Sequence, residues 1–266
     1  MESSIELRNV TKRFATKGGG VYTALRDLDM QVAPGEFAAV VGPTGCGKST
    51  TLGLISGLEP PSSGEVFVDG KAVTGLTDGI GYVFQADAVF PWKTVLQNVS
   101  AGPRYHGAGG GEAQSLAREW IARVGLSGFE DRYPHQLSGG MRKRVALAQT
   151  MINNPRIILM DEPFSALDVQ TRALMEDELL GLWASMSASV VFVTHDLEEA
   201  IAMADRVFVL TAGPGTIKGN YEVDLPRPRN VSEIRFEPRF SQIYKEIWAD
   251  LRDEVLLSYE RARVAS

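Results

Sequence analysis

The chain has 266 residues, 44% of them hydrophobic, which is enough for one large domain, or a core plus a smaller lobe, and too apolar for a disordered segment. A net charge of −6 excludes a general nucleic-acid binder, and a single cysteine, Cys46, excludes an internal disulfide and fits a reducing compartment. The opening MESSIELRNV lacks the apolar stretch of a secretory signal, and no run approaches the roughly 18 apolar residues of a bilayer span, so a soluble chain is expected.

In IELRNV (5–10), Ile5, Leu7 and Val10 mark a first strand. KGGG (17–20) is a flexible turn, and LRDLDMQV (25–32) reads as a second strand closed by Pro34-Gly35. EFAAVV (36–41) is short and wholly apolar, as a buried strand is. EVFVDGKAV (65–73) predicts a hairpin with Asp69-Gly70 in its turn. From about 86 to 155 helical stretches dominate. In 112–126, Leu116, Trp120, Ile121 and Val124 recur at helical spacing. The sequons at Asn98 and Asn230, in a chain of this kind, read as chance. RIILM (156–160), SVVFV (189–193) and RVFVL (206–210) are buried strands, separated by helices near 168–186 and 196–204. Such alternation implies a parallel sheet with helices on both faces. From about 221 the chain is dotted with Pro and Arg, then helical.

The strand 36–41 runs directly into GPTGCGKST, which fits G-x-x-x-x-G-K-[ST] at Gly42, Gly47, Lys48 and Ser49. The glycines let the backbone wrap an anion, and the following helix adds its positive end. The loop Gly42, Pro43, Thr44, Gly45, Cys46, Gly47, Lys48, Ser49 and Thr50 is the expected phosphate cradle. Lys48 would reach the β/γ-phosphates and the Ser49 hydroxyl would bind Mg²⁺. Cys46 occupies a variable loop position and needs no redox role.

A carboxylate for the metal is expected at the C-terminal end of another strand, and RIILMDEP supplies Asp161 there. Glu162 follows and could take a proton from an attacking water; alone, it reads equally as a solvated acid. His195 ends SVVFVTHD and would reach the same rim, although a lone histidine there also suits a helix entry. Asp196 suits the N-cap of the next helix, ahead of Glu198 and Glu199. Gln85, after GYVF, offers a neutral amide near metal or water.

PHQLSGGMRKRVALAQ (134–149) poses a puzzle. Ser138 is a natural N-cap, Gly139-Gly140 leave backbone N–H groups bare, and Arg142, Lys143 and Arg144 crowd a helix start that already carries positive charge. Either the segment receives an anion, or the cations extend into water. A second phosphate receptor would serve its own chain's site or that of another copy.

The ordered set GPTGCGKST, VFQ (ending at Gln85), LSGGM (137–141), RIILMDEP, SALD (165–168) and VTHD (193–196) resembles the ATP-binding cassette (ABC) ATPases over residues 5–215. The resemblance implies ATP and Mg²⁺ as ligands, with Ser49, Gln85 and Asp161 at the metal. It implies an α/β fold: a P-loop NTPase core with a mostly parallel sheet, an N-terminal antiparallel β subdomain and an inserted α-helical subdomain. The expected division is an ATPase domain over 1–220, with the insertion at about 86–155, and a helical extension over 221–266. The resemblance implies a head-to-tail dimer holding two ATPs. Ser138, Gly139 and Gly140 would clasp the partner's γ-phosphate, Glu162 would be the general base, His195 the γ-phosphate sensor, and Asp168 would bridge the sites. Phe14 resembles the aromatic that stacks on adenine, with Tyr22 a competitor. The family's fifth signature residue is Gln, and here it is Met141.

No N-K-x-D guanine reader is present, and only about a hundred residues separate Lys48 from the signature, too few for a long coiled coil. GYVFQADAVFPWKTVLQNV, DEPFSALDVQTR, VTHDLEEAIAMADRVFVL and the LPRPRN tail resemble the nitrate/sulfonate/taurine-type importer ATPases. That similarity implies an ATPase subunit energising import of a small anionic solute. It would be peripheral on the cytoplasmic face of the cell membrane and work indirectly with a solute-binding protein. Residues 86–105, with Phe90, Pro91 and Trp92, would receive a permease helix, or else pack within the helical lobe. The alternative is a free-standing ABC ATPase acting on a soluble or nucleic-acid complex, which the acidic balance opposes.

Overall fold

Two sheets organise the chain in the structure, a computed structural model that describes residues 4–86 and 88–265. Strands β1 (Ile5–Ala15) and β2 (Val21–Val32) form a long antiparallel hairpin. It extends beyond the apolar 5–10 and 25–32 cores because bulges, with Asn9 and Asp27 at positive φ, re-register the ladder and hide its period. Strand β3 (Phe37–Val41) leads into helix α1 (Lys48–Ser56). Strands β4 (Ser63–Val68) and β5 (Lys71–Ala72) complete the first sheet in the order β2-β1-β4-β5. The expected Asp69-Gly70 turn joins them, with both residues at positive φ, as a two-residue hairpin loop demands.

Strand β6 (Ile80–Val83) precedes the helical region: α2 (Val95–Val99), α3 (Ala101–Tyr105), α4 (Gly110–Arg123) and α5 (Gly139–Met151). The chain then returns as β7 (Ile157–Asp161), α6 (Val169–Ala184), β8 (Ser189–Val193), α7 (Leu197–Met203) and β9 (Arg206–Leu210). It ends in β10 (Ile217–Glu222), α8 (Val231–Ile234) and α9 (Pro238–Ala265). The second sheet runs β10-β9-β3-β8-β7-β6, parallel except for β10 at its edge. Strand β10 is absent from the sequence expectations. IKGNYE is half-exposed and mostly polar, so neither an apolar run nor a clean alternation marks it.

Strand periodicity divides the core. Phe37, Ala39 and Val41 of β3, with Val190 and Phe192 of β8, join the cluster under the helical region, α6, α7 and α9. Ala38 and Val40, with Val191 and Val193, join the cluster shared with α1 and the first sheet. Both faces of these strands are thus covered, which is why they read as unbroken apolar runs. Helix α9 buries Phe240, Ile243, Ile247 and Leu251 in the first cluster, at the i, i+3, i+4 spacing of a one-sided helix. The neighbouring parallel strands β3, β8, β7 and β6 end on one edge of the sheet, and the next residues in each chain path are Gly42, Thr194, Glu162 and Phe84.

Candidate functional site

A cavity opens at that edge, where ligands of open parallel sheets bind. Tyr22, Thr44, Gly45, Gly47, Lys48, Ser49, Thr50, Gln85, Glu162 and His195 line it. The loop between β3 and α1 wraps tightly. Gly45 and Gly47 have φ of 77° and 102°, and a Cβ at Gly47 would lie 2.5 Å from Leu25 Cδ2. A Cβ at Gly42 would come within 2.8 Å of Cys46 Sγ. Cys46 is buried beneath the loop, and burial pushes its thiol above the ordinary value, so it is a packing residue. The Lys48 ammonium is buried and donates to the carbonyls of Gly42 (2.9 Å) and Pro43 (3.1 Å).

Asp161 ends β7 and accepts the Ser49 hydroxyl at 3.0 Å. Burial raises the Asp161 pKa above the usual carboxylate value; the Ser49 bond opposes that rise and Glu162 adds to it. Glu162 is held at φ 43°, a left-handed value that non-glycine residues adopt at a cost. Its N–H donates to the Val193 carbonyl of β8, and its own carbonyl accepts the Ser165 hydroxyl. So placed, the Glu162 carboxylate meets His195 Nδ1 at 3.0 Å and the Gln85 amide at 3.4 Å. Lys48, Ser49, Gln85, Asp161, Glu162 and His195, spread over 148 positions of sequence between 48 and 195, therefore share one pocket rim. A hydroxyl beside a carboxylate is a hard oxygen donor pair. It fits Mg²⁺, which takes one or two protein ligands and fills its shell with water and phosphate.

Ser138, Gly139, Gly140 and Asp168 do not line this cavity. Ser138 caps α5, its hydroxyl accepting the Met141 N–H at 3.3 Å. A Cβ at Gly140 would stand 3.1 Å from Thr171 Cγ2, so that glycine lets α5 approach the start of α6. Asp168 caps α6, and the Thr171 N–H that it accepts holds its carboxyl below the ordinary value. All three cations of the segment are engaged within the chain. Lys143, 4% exposed, donates to the Gln85 carbonyl at 2.6 Å. Arg142 donates to the Leu137 carbonyl at 2.9 Å, and Arg144 to the Val124 carbonyl at 3.0 Å and to Glu178 at 2.6 Å. Met141 packs against the larger core. Phe14 pairs with Tyr22 across the β1–β2 hairpin, with the Lys12 ammonium 4.8 Å over its ring. Tyr22 lines the cavity, its hydroxyl donating to the Gly45 carbonyl at 3.0 Å.

Comparison with known proteins decides the family. A family model described as "ABC transporter" matches residues 25–165, more than half of the chain. The chain belongs to the ABC transporter family. An uncharacterized ABC transporter ATP-binding protein of Methanocaldococcus jannaschii is 46% identical, covering 97% of this chain and 95% of its own. The nitrate import ATP-binding protein NrtD of Synechocystis is 42% identical, over 93% and 95%. An ATP-binding cassette solved as a dimer in a post-hydrolysis state with ADP and Pi superposes with a TM-score of 0.73 at 34% identity, over 84% of this chain and all of that one. This ABC chain is an ATP-binding subunit of the nitrate-type family and an ATPase.

Two structural residues of the ABC subunit escaped sequence reasoning. Asn98, read only as part of a chance sequon, is fully buried. Its carboxamide accepts the Phe90 N–H at 2.7 Å and donates to the carbonyls of Phe90, Lys93 and Thr94, at 3.0–3.2 Å. It thereby shapes the 86–105 segment, within which Asp87 lies outside the described residues. Phe90 and Phe84 line a groove between the β6 edge and α5, while Trp92 is 71% exposed with its ring 5.7 Å from that of Phe90. Arg229, in the LPRPRN tail, donates to five main-chain carbonyls, those of Ile201, Ala202 and Ala204 at the end of α7 and those of Val223 and Leu225 after β10. No apolar period marks a buried asparagine or arginine; only a list of unmet backbone groups would. No helix among the described residues is long and apolar enough to cross a membrane.

Proposed function

We propose that this ABC ATPase energises import of a small anionic solute, as a peripheral subunit on the cytoplasmic face of a membrane permease. The observation that carries the reading is the convergence of Lys48, Ser49, Asp161, Glu162, His195 and Gln85 on one pocket rim. Relatives named for nitrate import support the solute class.

In this reading the 42–50 loop cradles the phosphates with its N–H groups, and Lys48 leaves the Gly42 and Pro43 carbonyls to meet them. Ser49 and Asp161, with Gln85, would hold Mg²⁺, which neutralises phosphate charge when bound. Glu162 orients and deprotonates the attacking water, while His195 and Gln85 fix its carboxylate and read the γ-phosphate. An aromatic of the β1–β2 hairpin, Phe14 or the facing Tyr22, stacks on the base. Ser138, Gly139 and Gly140 serve the site of a second subunit, with Asp168 between the two sites. Their position outside this chain's own cavity and the dimeric state of the similar cassette support that arrangement. Residues 1–220 act as the ATPase domain, with 86–155 as the inserted helical part and 221–266 as the extension. The groove at Phe84 and Phe90 receives a permease helix, the exposed Trp92 beside it.

Glu162→Gln should abolish turnover while ATP still traps a dimer, read by hydrolysis assay and gel filtration with ATP. Hydrolysis at the parent rate would overturn the base assignment. Co-purification of the chain should yield a membrane permease; a soluble or nucleic-acid complex in its place would overturn the transport reading.

A further inference from the structure

Beside His195 lies a charged cluster whose residues do not line the cavity. Both chain neighbours of His195 are tied into it. The Thr194 hydroxyl donates to Glu199 Oε2 on α7 and accepts the Asp196 N–H at 3.0 Å. The Asp196 carboxylate accepts the N–H groups of Glu198 and Glu199, at 2.9 and 3.2 Å, and Arg172 of α6 at 3.3 Å. Arg172 also donates to the carbonyl of Leu167, in the loop before α6. Glu199 is 3% exposed, Glu176 of α6 is 0% exposed, and the two carboxyl groups lie close enough to interact directly. Arg235, which follows α8, reaches Glu176 and Glu198, each at 3.4 Å.

Two neighbouring carboxylates buried away from water repel unless they share a proton, and burial makes double ionisation costlier still. Glu176 Oε1 is buried and meets no N–H or hydroxyl donor, which leaves a protonated Glu199 as its donor. Burial raises both carboxyls, that of Glu199 to about 8, and the negative Glu176 and Asp196 add to the rise. With one proton on the pair, Arg172 and Arg235 face the pair, Asp196 and Glu198, and the cluster stays near balance.

We propose that Glu199 and Glu176 form a proton-sharing pair that positions His195, by fixing Thr194 and Asp196 on either side of it. Neither carboxyl lines the cavity; the pair acts through the backbone that holds the imidazole against Glu162. The proposal rests on the reading of His195 as part of the hydrolytic site.

Glutamine at 199 keeps an acceptor for Thr194 and supplies an amide donor for Glu176, whereas leucine supplies neither. The test is made on the full chain with Mg-ATP and with isotope-labelled histidine, His195 being assigned through His195→Ala. The parent should show an alkaline fall in kcat near pH 8, whereas Glu199→Gln should keep kcat at pH 7 within about twofold, keep the NMR titration of His195 and lose that fall. Glu199→Leu should move the His195 titration and lower kcat roughly tenfold or more at constant KM for ATP. Should Glu199→Leu fail to fold, Thr194→Val removes the donor at equal volume and is expected to do the same. An unmoved His195 titration in the folded variants, or an alkaline limb retained in Glu199→Gln, overturns the proposal. A moved titration with unchanged kcat keeps the positioning role and overturns the hydrolytic reading of His195.

Discussion

At the residue scale, strain and satisfaction sit side by side. Glu162 carries φ 43° immediately after a fully extended, buried strand. The cost of that conformation is met by the Val193 carbonyl and the Ser165 hydroxyl, which grip its backbone on both sides. The result is a carboxylate aimed at the cavity, where the strand's own alternation would have aimed it into a core cluster. Asn98 shows the opposite economy, a relaxed residue whose four hydrogen bonds replace a missing regular element from 90 to 94. Asn98→Ala leaves the Phe90 N–H and the Lys93 carbonyl without their partner inside a packed lobe and removes one donor from the Phe90 and Thr94 carbonyls, which keep backbone N–H donors. It should lower stability by about 2 kcal/mol in urea melts, with ATP hydrolysis by the separate chain retained.

At the element scale, the tail is fastened to the end of α7. The guanidinium of Arg229 is 1% exposed, and its donors face the carbonyls of Ile201, Ala202 and Ala204, the negative end of that helix. Burial lowers its pKa to about 10, which leaves it charged at neutral pH. Arg227 adds bonds to the Met203 carbonyl and Asp205 and lies 4.5 Å over the Trp183 ring. Arg229→Met would strip five carbonyls of one donor set. The expected loss is about 3 kcal/mol, or roughly 6–12 °C in Tm by differential scanning calorimetry, in a chain of this size. Arg229→Lys should recover only part of it, because an ammonium cannot span the carbonyls on both sides. A variant melting within a degree of the parent would show that the tail is held by α9 alone.

At the scale of the whole molecule, the fold was legible wherever one face or both faces of an element are buried, as in β3, β7, β8 and β9. The phosphate loop was legible because its chemistry is local. The polar edge strand β10, the bulged ends of β1 and β2, and the roles of Asn98, Arg229 and Glu199 depend on partners from 4 to 28 positions away or on a neighbouring strand, and no periodicity in the sequence marks them. The acceptors of Lys143 and Arg144 in the signature helix, Gln85 and Val124, likewise lie in other elements. Glu199 also gives the molecule a pH dependence that composition does not foretell. Its carboxyl titrates at the ordinary 4.5 when unfolded and at about 8 in the native chain. Between those values the native state holds a proton that the unfolded chain has released, so native stability falls as pH rises through the window. Buried Glu176 and Asp161, also raised, act in the same direction. Asp168 and Glu254, both lowered, act oppositely, since their contribution is lost as pH falls toward the carboxylate range. Glu199→Gln cannot release a proton, and its amide still meets both neighbours. Its Tm should therefore decline less than that of the parent between pH 6 and pH 9, with the two curves converging toward pH 5. Parallel curves over that range would mean that Glu199 is already ionised in the native chain and that the carboxyl pair holds no shared proton.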